Sequence, residues 1–511
     1  MRLASLLADV HPTAVEGSLD REIRGIAVHS AQVASEDLFV AIPGFTHDGH
    51  DFVPEAIARG ARGIVVQAPV AVPAGVTCIV VSNTRLALGL LSSAFFGRPS
   101  QALRLIGVTG TNGKGTTAHL IEASLQASGR RCGLIGTIGA KVGDEFLALA
   151  RTTPEAHELQ GLLRRMVDAH CPYAVMEVAS HALALHRVAG CRFHLAVFTN
   201  LTQDHLDFHK TFDEYRATKR RLFELVEPDG VSVVNADDPE AASMRAASRA
   251  PVLTYGIDHP ADVRAKDIRL ALRRTQFVLS TPAGQRAVTT RLHGRFNVAN
   301  ILAAVAVAHS QGVPLDVVAD AVEHFAGVPG RFELIEEGQR FAVVVDYAHT
   351  PDGLANVLRA SADVVGGRII VVFGCGGDRD RTKRPIMGRF AVTLADEVIV
   401  TSDNPRTEEP SAIIAEVLAG MEEGAVAPAS IRSDGRGRRP GRVQVEPDRR
   451  KAIFQAIALA GADDLVMIAG KGHEPYQEIR GVRYPFDDRV VAREALRQRR
   501  EVTSPSPRRS R

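Results

Sequence analysis

Short apolar runs alternate with stretches of helical periodicity along most of the chain, which predicts an α/β fold of mostly parallel sheets covered by helices. In the first hundred residues the runs 37–42, 63–66 and 78–81 read as strands, with helices near 54–60 and 84–96, and the Gly-Arg-Pro-Ser turn at 97–100 marks a joint. A second block carries strand-like runs at 132–135, 173–178, 195–199 and 231–235. Between 252 and 292 its pattern changes to short alternating strands, predicting an antiparallel appendage. A helix over 298–311 ends at Gly312 and Pro314, and Gly327 to Gly330 form a second joint. Beyond it, the Val/Ile-rich runs 342–346, 369–373, 397–400 and 465–469 suit a sheet buried on both faces. Segments 433–442 and 497–511, rich in Arg, Gly, Pro or Ser, read as solvated coil. The expected division is 1–100, 101–328 and 329–496, followed by a disordered basic tail over 497–511.

Composition narrows the class. A chain of 511 residues exceeds one core, and roughly 150 residues per domain agrees with three. A net charge of +2 gives no broad polyanion-binding surface, so nucleic acid is not an expected partner. The five cysteines are scattered without a CxxC pair, which suggests neither a zinc site nor a disulfide framework. With no signal-like N-terminus and no membrane-length apolar window, the expectation is a soluble, cytoplasmic protein.

The sharpest chemical signal is Thr-Gly-Thr-Asn-Gly-Lys-Gly-Thr-Thr at 109–117, set between an apolar run and a helical stretch. Glycines let main-chain N–H groups face an anion, Lys114 adds a point charge, and the following helix presents its positive end. Val108 and Gly115 break the strict phosphate-loop pattern, so a ligand-free glycine turn stays open as the alternative. Glu177 ends one apolar run and His205 follows another, on the side expected to hold the loop. A carboxylate and an imidazole beside a polyphosphate suit magnesium. Lys219 falls on a helical stretch with other basic residues, where periodicity cannot reject a solvated basic face. In the third block the segments 374–380, 403–406 and 470–474 each follow a strand; the first two set Arg beside Asp, and the third carries Lys and Glu. Such a site suits a zwitterion like an amino acid.

These pieces resemble one family in consistent order from about residue 20 to 495: GTNGK at 110–114, NLTQDHLDFH at 200–209, HGRFNVANILAA at 293–304, VVDYAHTPDGL at 344–354, GCGGDRD at 374–380, DNPRTEEP at 403–410 and GKGHE at 470–474. The chain is similar to the Mur ligases, ATP-dependent amide-forming enzymes of peptidoglycan synthesis. The resemblance is greatest to those members that join meso-diaminopimelate to UDP-N-acetylmuramoyl-L-alanyl-D-glutamate. It implies a three-domain architecture with a central P-loop ATPase domain and a C-terminal Rossmann-like domain.

The resemblance also implies roles. Gly110, Thr111, Asn112, Gly113, Lys114, Gly115, Thr116 and Thr117 would bind the triphosphate, with Asn297, Asn300, Arg331 and Asp346 as further nucleotide contacts. Glu177 and His205 would hold magnesium, and Lys219 occupies the place of a carbamylated lysine whose carboxylate helps hold a second ion. Val28, Ser30, Phe45, Thr46, His47, Thr152, Thr153 and Arg187 would line the UDP-sugar site. Arg379, Asp403, Asn404, Pro405, Arg406, Gly470 and Glu474 would receive diaminopimelate, Arg406 reading its distal carboxylate. The expected working form is a monomer. The sequence departs from the family at Gly115, where Thr is usual and Thr116 is the substitute hydroxyl, and at Arg151, Ala179 and Leu185 near the muramoyl peptide. Three rivals stand beside this reading: a P-loop kinase or motor ATPase, a silent UDP-sugar binder made plausible by Gly115 and Ala179, and a ligase adding lysine or extending a folate with glutamate.

Overall fold

The computed structural model describes residues 1–272, 274–425 and 441–503, and in it the apolar runs gather into three large sheets and one hairpin. In the first sheet Gly25–Ala27, Asp37–Val40, Gly63–Val66 and Thr77–Val80 run parallel in that order, with Ala14–Glu16 antiparallel at the edge. Alternation along these strands divides their side chains between two cores. Leu38, Val40, Val65 and Ile79 pack with Leu3, Leu88 and Leu91, whereas Phe39, Ile64, Val66 and Cys78 pack with Val53 and Ala56. A strand covered on both faces has no place for polar residues, which explains runs as plain as Gly-Ile-Val-Val.

The central sheet has eleven strands. Arg104–Thr109 lies in its middle, between Phe193–Phe198 and Tyr173–Glu177 and parallel to both. Val226–Asn235 and Val252–Gly256 continue the parallel order on one side and Cys132–Ile135 on the other. The predicted antiparallel appendage is real and is not a separate layer: Val263–Ala271, Arg274–Thr281 and Gly284–Thr290 extend this same sheet. Helices Lys114–Ala127 and Arg295–Ser310 pack together on one face over Ile106, Val108, Val197 and Val233. The second helix is buried almost throughout, so it has no polar face for periodicity to detect.

The C-terminal sheet orders Glu333–Leu334, Ala342–Asp346, Leu465–Ala469, Ile369–Phe373, Glu397–Val400 and Arg442–Val445, all parallel except the first. Parallel strands bring the loops after Asp346, Phe373, Val400 and Ala469 to one edge, where ligands bind in open α/β sheets.

Two expectations about coil need correction. The helix Asp488–Thr503 runs through the first part of the expected tail. Its face of Val491, Ala492, Ala495 and Leu496 packs against Ile453 and Ile457, and Arg497 pairs with Glu337 at 3.0 Å. The apolar face, invisible in a count of arginines, decides the outcome. Arg442 opens an edge strand rather than closing a loop, while residues 433–440 and 504–511 lie outside the described residues. All five cysteines are buried and free. Among the described residues no helix is long and apolar enough to cross a membrane.

Candidate active site

The phosphate loop is held by the end of the neighbouring strand. At Gly110 (φ 150°) an added Cβ would lie 1.8 Å from Thr199 Oγ1, and at Gly113 (φ 83°) it would lie 2.4 Å from Asn300 Oδ1. Neither position can carry a side chain without moving its neighbour. The Asn112 N–H donates to Asn200 Oδ1 at 2.9 Å, and the Thr199 hydroxyl donates to the Asn112 carbonyl at 2.7 Å. Lys114 Nζ folds back on the Gly110 and Thr111 carbonyls, both at 2.9 Å. The buried helix 295–310 supports the loop from behind: Thr117 donates to Asn300 Oδ1 (3.3 Å), Asn300 to Asn297 Oδ1 (3.1 Å), and Asn297 to the His293 carbonyl (2.8 Å).

A cavity of about 460 Å³ opens over the loop, with walls from both the central and the C-terminal sheets. Thr111 to Thr116, Glu177, His205, Asn297 and Asn300 enter from one side and Arg331, Asp346, Tyr347 and His349 from the other. Glu177 is 2 % exposed and its Oε1 accepts the Thr137 N–H at 2.7 Å. His205 sits in left-handed backbone (φ 55°) with Nε2 3.2 Å from Asp204 Oδ2. Burial, reinforced by His181, Lys114 and Lys219, holds its imidazole down to about 2. It is therefore neutral and has a lone pair to offer a metal. Asp346 is raised by burial against the pull of Arg331, and accepts the Phe332 and Ala348 N–H groups at 2.6 and 2.7 Å.

Lys219 is not a solvated basic residue. It is 1 % exposed, donates to the Gly110 carbonyl at 2.7 Å and lies 4.7 Å from the Tyr215 ring centroid. Burial, then the neighbouring Lys114, pushes its amine well below the ordinary lysine value. Lys114 is lowered as well, by burial, with Glu177 and Asp204 opposing. Among the described residues no group of three His, Cys, Asp or Glu is arranged to hold a metal alone. A carboxylate and a neutral imidazole facing a phosphate loop nevertheless fit magnesium, which takes few protein ligands and completes its shell with phosphate oxygens and water. Gly115 lies against Glu177, its missing Cβ 3.4 Å from Oε1, and Thr116 lines the cavity beside it.

The residues expected for an amino acid meet at the C-terminal sheet edge, outside the cavity. Asn404 Nδ2 donates to Glu474 Oε2 at 2.8 Å, and buried Lys471 donates to Asn404 Oδ1 (3.0 Å) and Glu474 Oε2 (3.1 Å). Asp403 is 8 % exposed with Oδ2 unpartnered, and Gly470 leaves room beside that oxygen, since a Cβ there would lie 2.5 Å away. An orphaned buried carboxylate oxygen suits an incoming ammonium group. Arg406, also in left-handed backbone (φ 52°), donates to the Gly377 carbonyl at 2.6 Å, and the Pro405 carbonyl abuts Gly377. Arg379 bonds the Asp378 carbonyl at 2.9 Å. Beneath these loops, fully buried Arg384 holds Glu408, Glu416 and the Gly376 carbonyl.

The residues expected for the UDP-sugar divide into two groups. Thr152 lines the cavity and meets Thr137 Oγ1 at 3.0 Å, Thr153 donates to the Glu177 carbonyl at 2.8 Å, and Arg187 pairs with Glu155 at 2.9 Å. Val28, Ser30, Phe45, Thr46 and His47 lie on the N-terminal unit away from that cavity. Ser30 donates to Glu55 at 2.9 Å, and Phe45, 80 % exposed, reaches across to Phe208 at 6.1 Å. Sequence reasoning missed Asp204, Thr137, Tyr215, Lys471 and Arg384. For Asp204 a signal existed, as it directly precedes His205.

Family models match three consecutive stretches: "Mur ligase family, catalytic domain" over 22–96, "Mur ligase middle domain" over 108–308 and "Mur ligase, glutamate ligase domain" over 330–472. A protein of Bacillus velezensis named UDP-N-acetylmuramoyl-L-alanyl-D-glutamate--2,6-diaminopimelate ligase is 46% identical over 97% of this chain and 99% of its own. One of the same name from Gloeobacter violaceus is 48% identical over 94% and 95%. A solved structure bearing that name is 34% identical with a TM-score of 0.66, covering 97% of this chain and 99% of its own. Three consecutive family matches and near-full-length relatives at this identity leave one assignment: the chain belongs to the Mur ligase family.

Proposed function

We propose that this protein is an ATP-dependent ligase that adds meso-diaminopimelate to UDP-N-acetylmuramoyl-L-alanyl-D-glutamate in peptidoglycan synthesis, working as a cytoplasmic monomer. The observation that carries the reading is the cavity where the phosphate loop, Glu177 and His205 face Arg331 and Asp346 of the C-terminal unit. Near-full-length relatives bearing this ligase's name support it.

A carboxylate is too poor an electrophile to meet an amine directly. A γ-carboxylate oxygen of the D-glutamyl residue attacks the γ-phosphorus of ATP, the bond to the bridging oxygen breaks and ADP leaves, giving an acyl phosphate; the amine then attacks the acyl carbon, the C–O bond to phosphate breaks, and inorganic phosphate and the nitrogen's proton are released. Lys114 and the main-chain N–H groups of 110–117 hold the phosphates in line. Glu177 and neutral His205 are the residues that would hold magnesium, which neutralises phosphate oxygens as charge develops. Lys219, made less basic by burial and by Lys114, is suited to carbamylation, and the resulting carboxylate would join that ligand set. Thr152, Thr153 and Arg187 place the muramoyl peptide, while the N-terminal residues 28–30 and 45–47 hold the nucleotide of the UDP-sugar. Asp403 takes an ammonium group of diaminopimelate, Glu474 and Asn404 orient it, and Arg406 with Arg379 reads the distal carboxylate.

The test is to assay purified protein for phosphate release and amide formation, pairing each UDP-sugar peptide with diaminopimelate, lysine or no amino acid. Release that requires the dipeptide and diaminopimelate together supports the reading. Release without an amine, or equal use of lysine, overturns it.

A further inference from the structure

One carboxylate of the C-terminal unit reaches the phosphate loop itself. Asp352 Oδ2 accepts the Asn112 amide at 2.7 Å and the Thr202 hydroxyl at 3.1 Å, and also the amide of Asn356, one turn along its own helix, at 3.0 Å. The first two bonds cross from one sheet's loops to the other's.

Both ends of this bridge are fixed. Asp352 stands in the first turn of helix Pro351–Ala362, which begins at Thr350, whose hydroxyl accepts the Gly353 N–H at 3.1 Å. The main chain of Asn112 is held by Asn200 and Thr199, and the Thr202 N–H donates to Thr111 Oγ1 at 3.0 Å. Only the Asn112 side chain is left to point outward, and it points at Asp352. A single oxygen thus joins the loop that carries Lys114, the segment that leads to His205, and the unit that carries the amino-acid loops.

We propose that Asp352 is a positioning residue that registers the C-terminal unit on the phosphate loop, so that the acyl phosphate forms only where the amine-bearing unit is seated to capture it. The inference rests on the ligase reading given above. Without the bridge the acyl carbon is exposed to water, whose oxygen attacks in place of the amine, releasing phosphate and regenerating the starting carboxylate. Two phosphate-yielding routes then compete, and their ratio reports the seating.

The experiment uses the full chain and the variants Asp352→Ala, Asp352→Asn and Asn112→Ala with Asp352→Ala, measuring phosphate released per amide formed. Wild type should give one phosphate per amide. Asp352→Ala should lose about tenfold or more of the amide rate and release excess phosphate, with an unchanged melting temperature. Asp352→Asn, whose amide oxygen can accept the same two bonds, should recover most of the rate and the ratio. The double variant should be no worse than Asp352→Ala alone. Wild-type behaviour of Asp352→Ala, a loss that leaves the ratio at one, or a double variant clearly worse than Asp352→Ala would each overturn the proposal. If wild type forms no amide with any pairing, the ligase reading has failed. The seating is then read by small-angle X-ray scattering with the β,γ-imido analogue of ATP: compaction in wild type but not in Asp352→Ala supports the bridge, and the same response in both overturns it.

Discussion

Lys114 and Lys219 share one acceptor, the Gly110 carbonyl, at 2.9 and 2.7 Å. Two ammonium groups this close disfavour each other in a buried setting, and Lys219 responds with the larger loss of basicity. We infer a division of labour in which Lys114 meets phosphate and Lys219, the less basic of the two amines, is the one that can add carbon dioxide. Substituting either by Ala is expected to lower ligation by about 10²–10³ while the melting temperature holds. Lys114→Met should raise the basicity of Lys219 and so reduce the carbamate signal seen by NMR in isotope-labelled bicarbonate. Because protonation removes the nucleophile, that signal should fall as pH is lowered; a pH-independent signal would contradict the assignment.

Arg406 offers its fork at the amino-acid edge, with one donor already on the Gly377 carbonyl. Arg406→Ala is expected to cost about 1.5–3 kcal/mol of diaminopimelate binding, seen as a KM about 10–100-fold higher for that substrate and unchanged for ATP. Arg406→Lys, which keeps the charge but loses the planar pair of donors, should fall between. An unaltered KM would remove the residue from the site.

Gly113→Ala combines a positive φ with a Cβ 2.4 Å from Asn300 Oδ1. The loop would have to shift, and titration calorimetry with an ATP analogue should show binding weakened by about tenfold. Affinity equal to wild type would show that the loop adjusts freely.

Glu408 is pulled down to about 2, chiefly by its bond to Arg384 at 2.7 Å. A depressed carboxylate contributes stability that is complete above its ordinary value of 4.5 and is lost as pH falls from there toward 2. Wild type should therefore be more stable than Glu408→Gln near neutrality, with the gap closing below about pH 3 in denaturant titrations. A constant gap across that range would mean that the pair does not behave as a linked charge.

Much of this was legible because it is local. The run Gly-Ile-Val-Val at 63–66 and the glycines around Lys114 announce a buried strand and an anion cradle within a few residues of themselves. The pairing of Asn112 with Asp352 spans 240 positions, and no periodicity encodes which loops of two sheets will face each other. Lys219 shows the same limit from another side. Its neighbours in sequence are basic and partly exposed, and only the packing of helix Phe212–Glu224 against Gly110 reveals it as buried. The helix running to 503 was hidden because arginine content masked an apolar stripe.

The five sealed thiols give this enzyme an internal alarm. Cys191 and Cys375 are pushed up to about 12 by burial, and Cys132 is raised well above its usual value, so alkylating reagents meet little reactive sulfur while the domains hold. Cys78 reports on the first sheet, Cys132, Cys171 and Cys191 on the second, and Cys375 on the third. Modification rates at these sites would time the loosening of each unit separately, without any label being introduced.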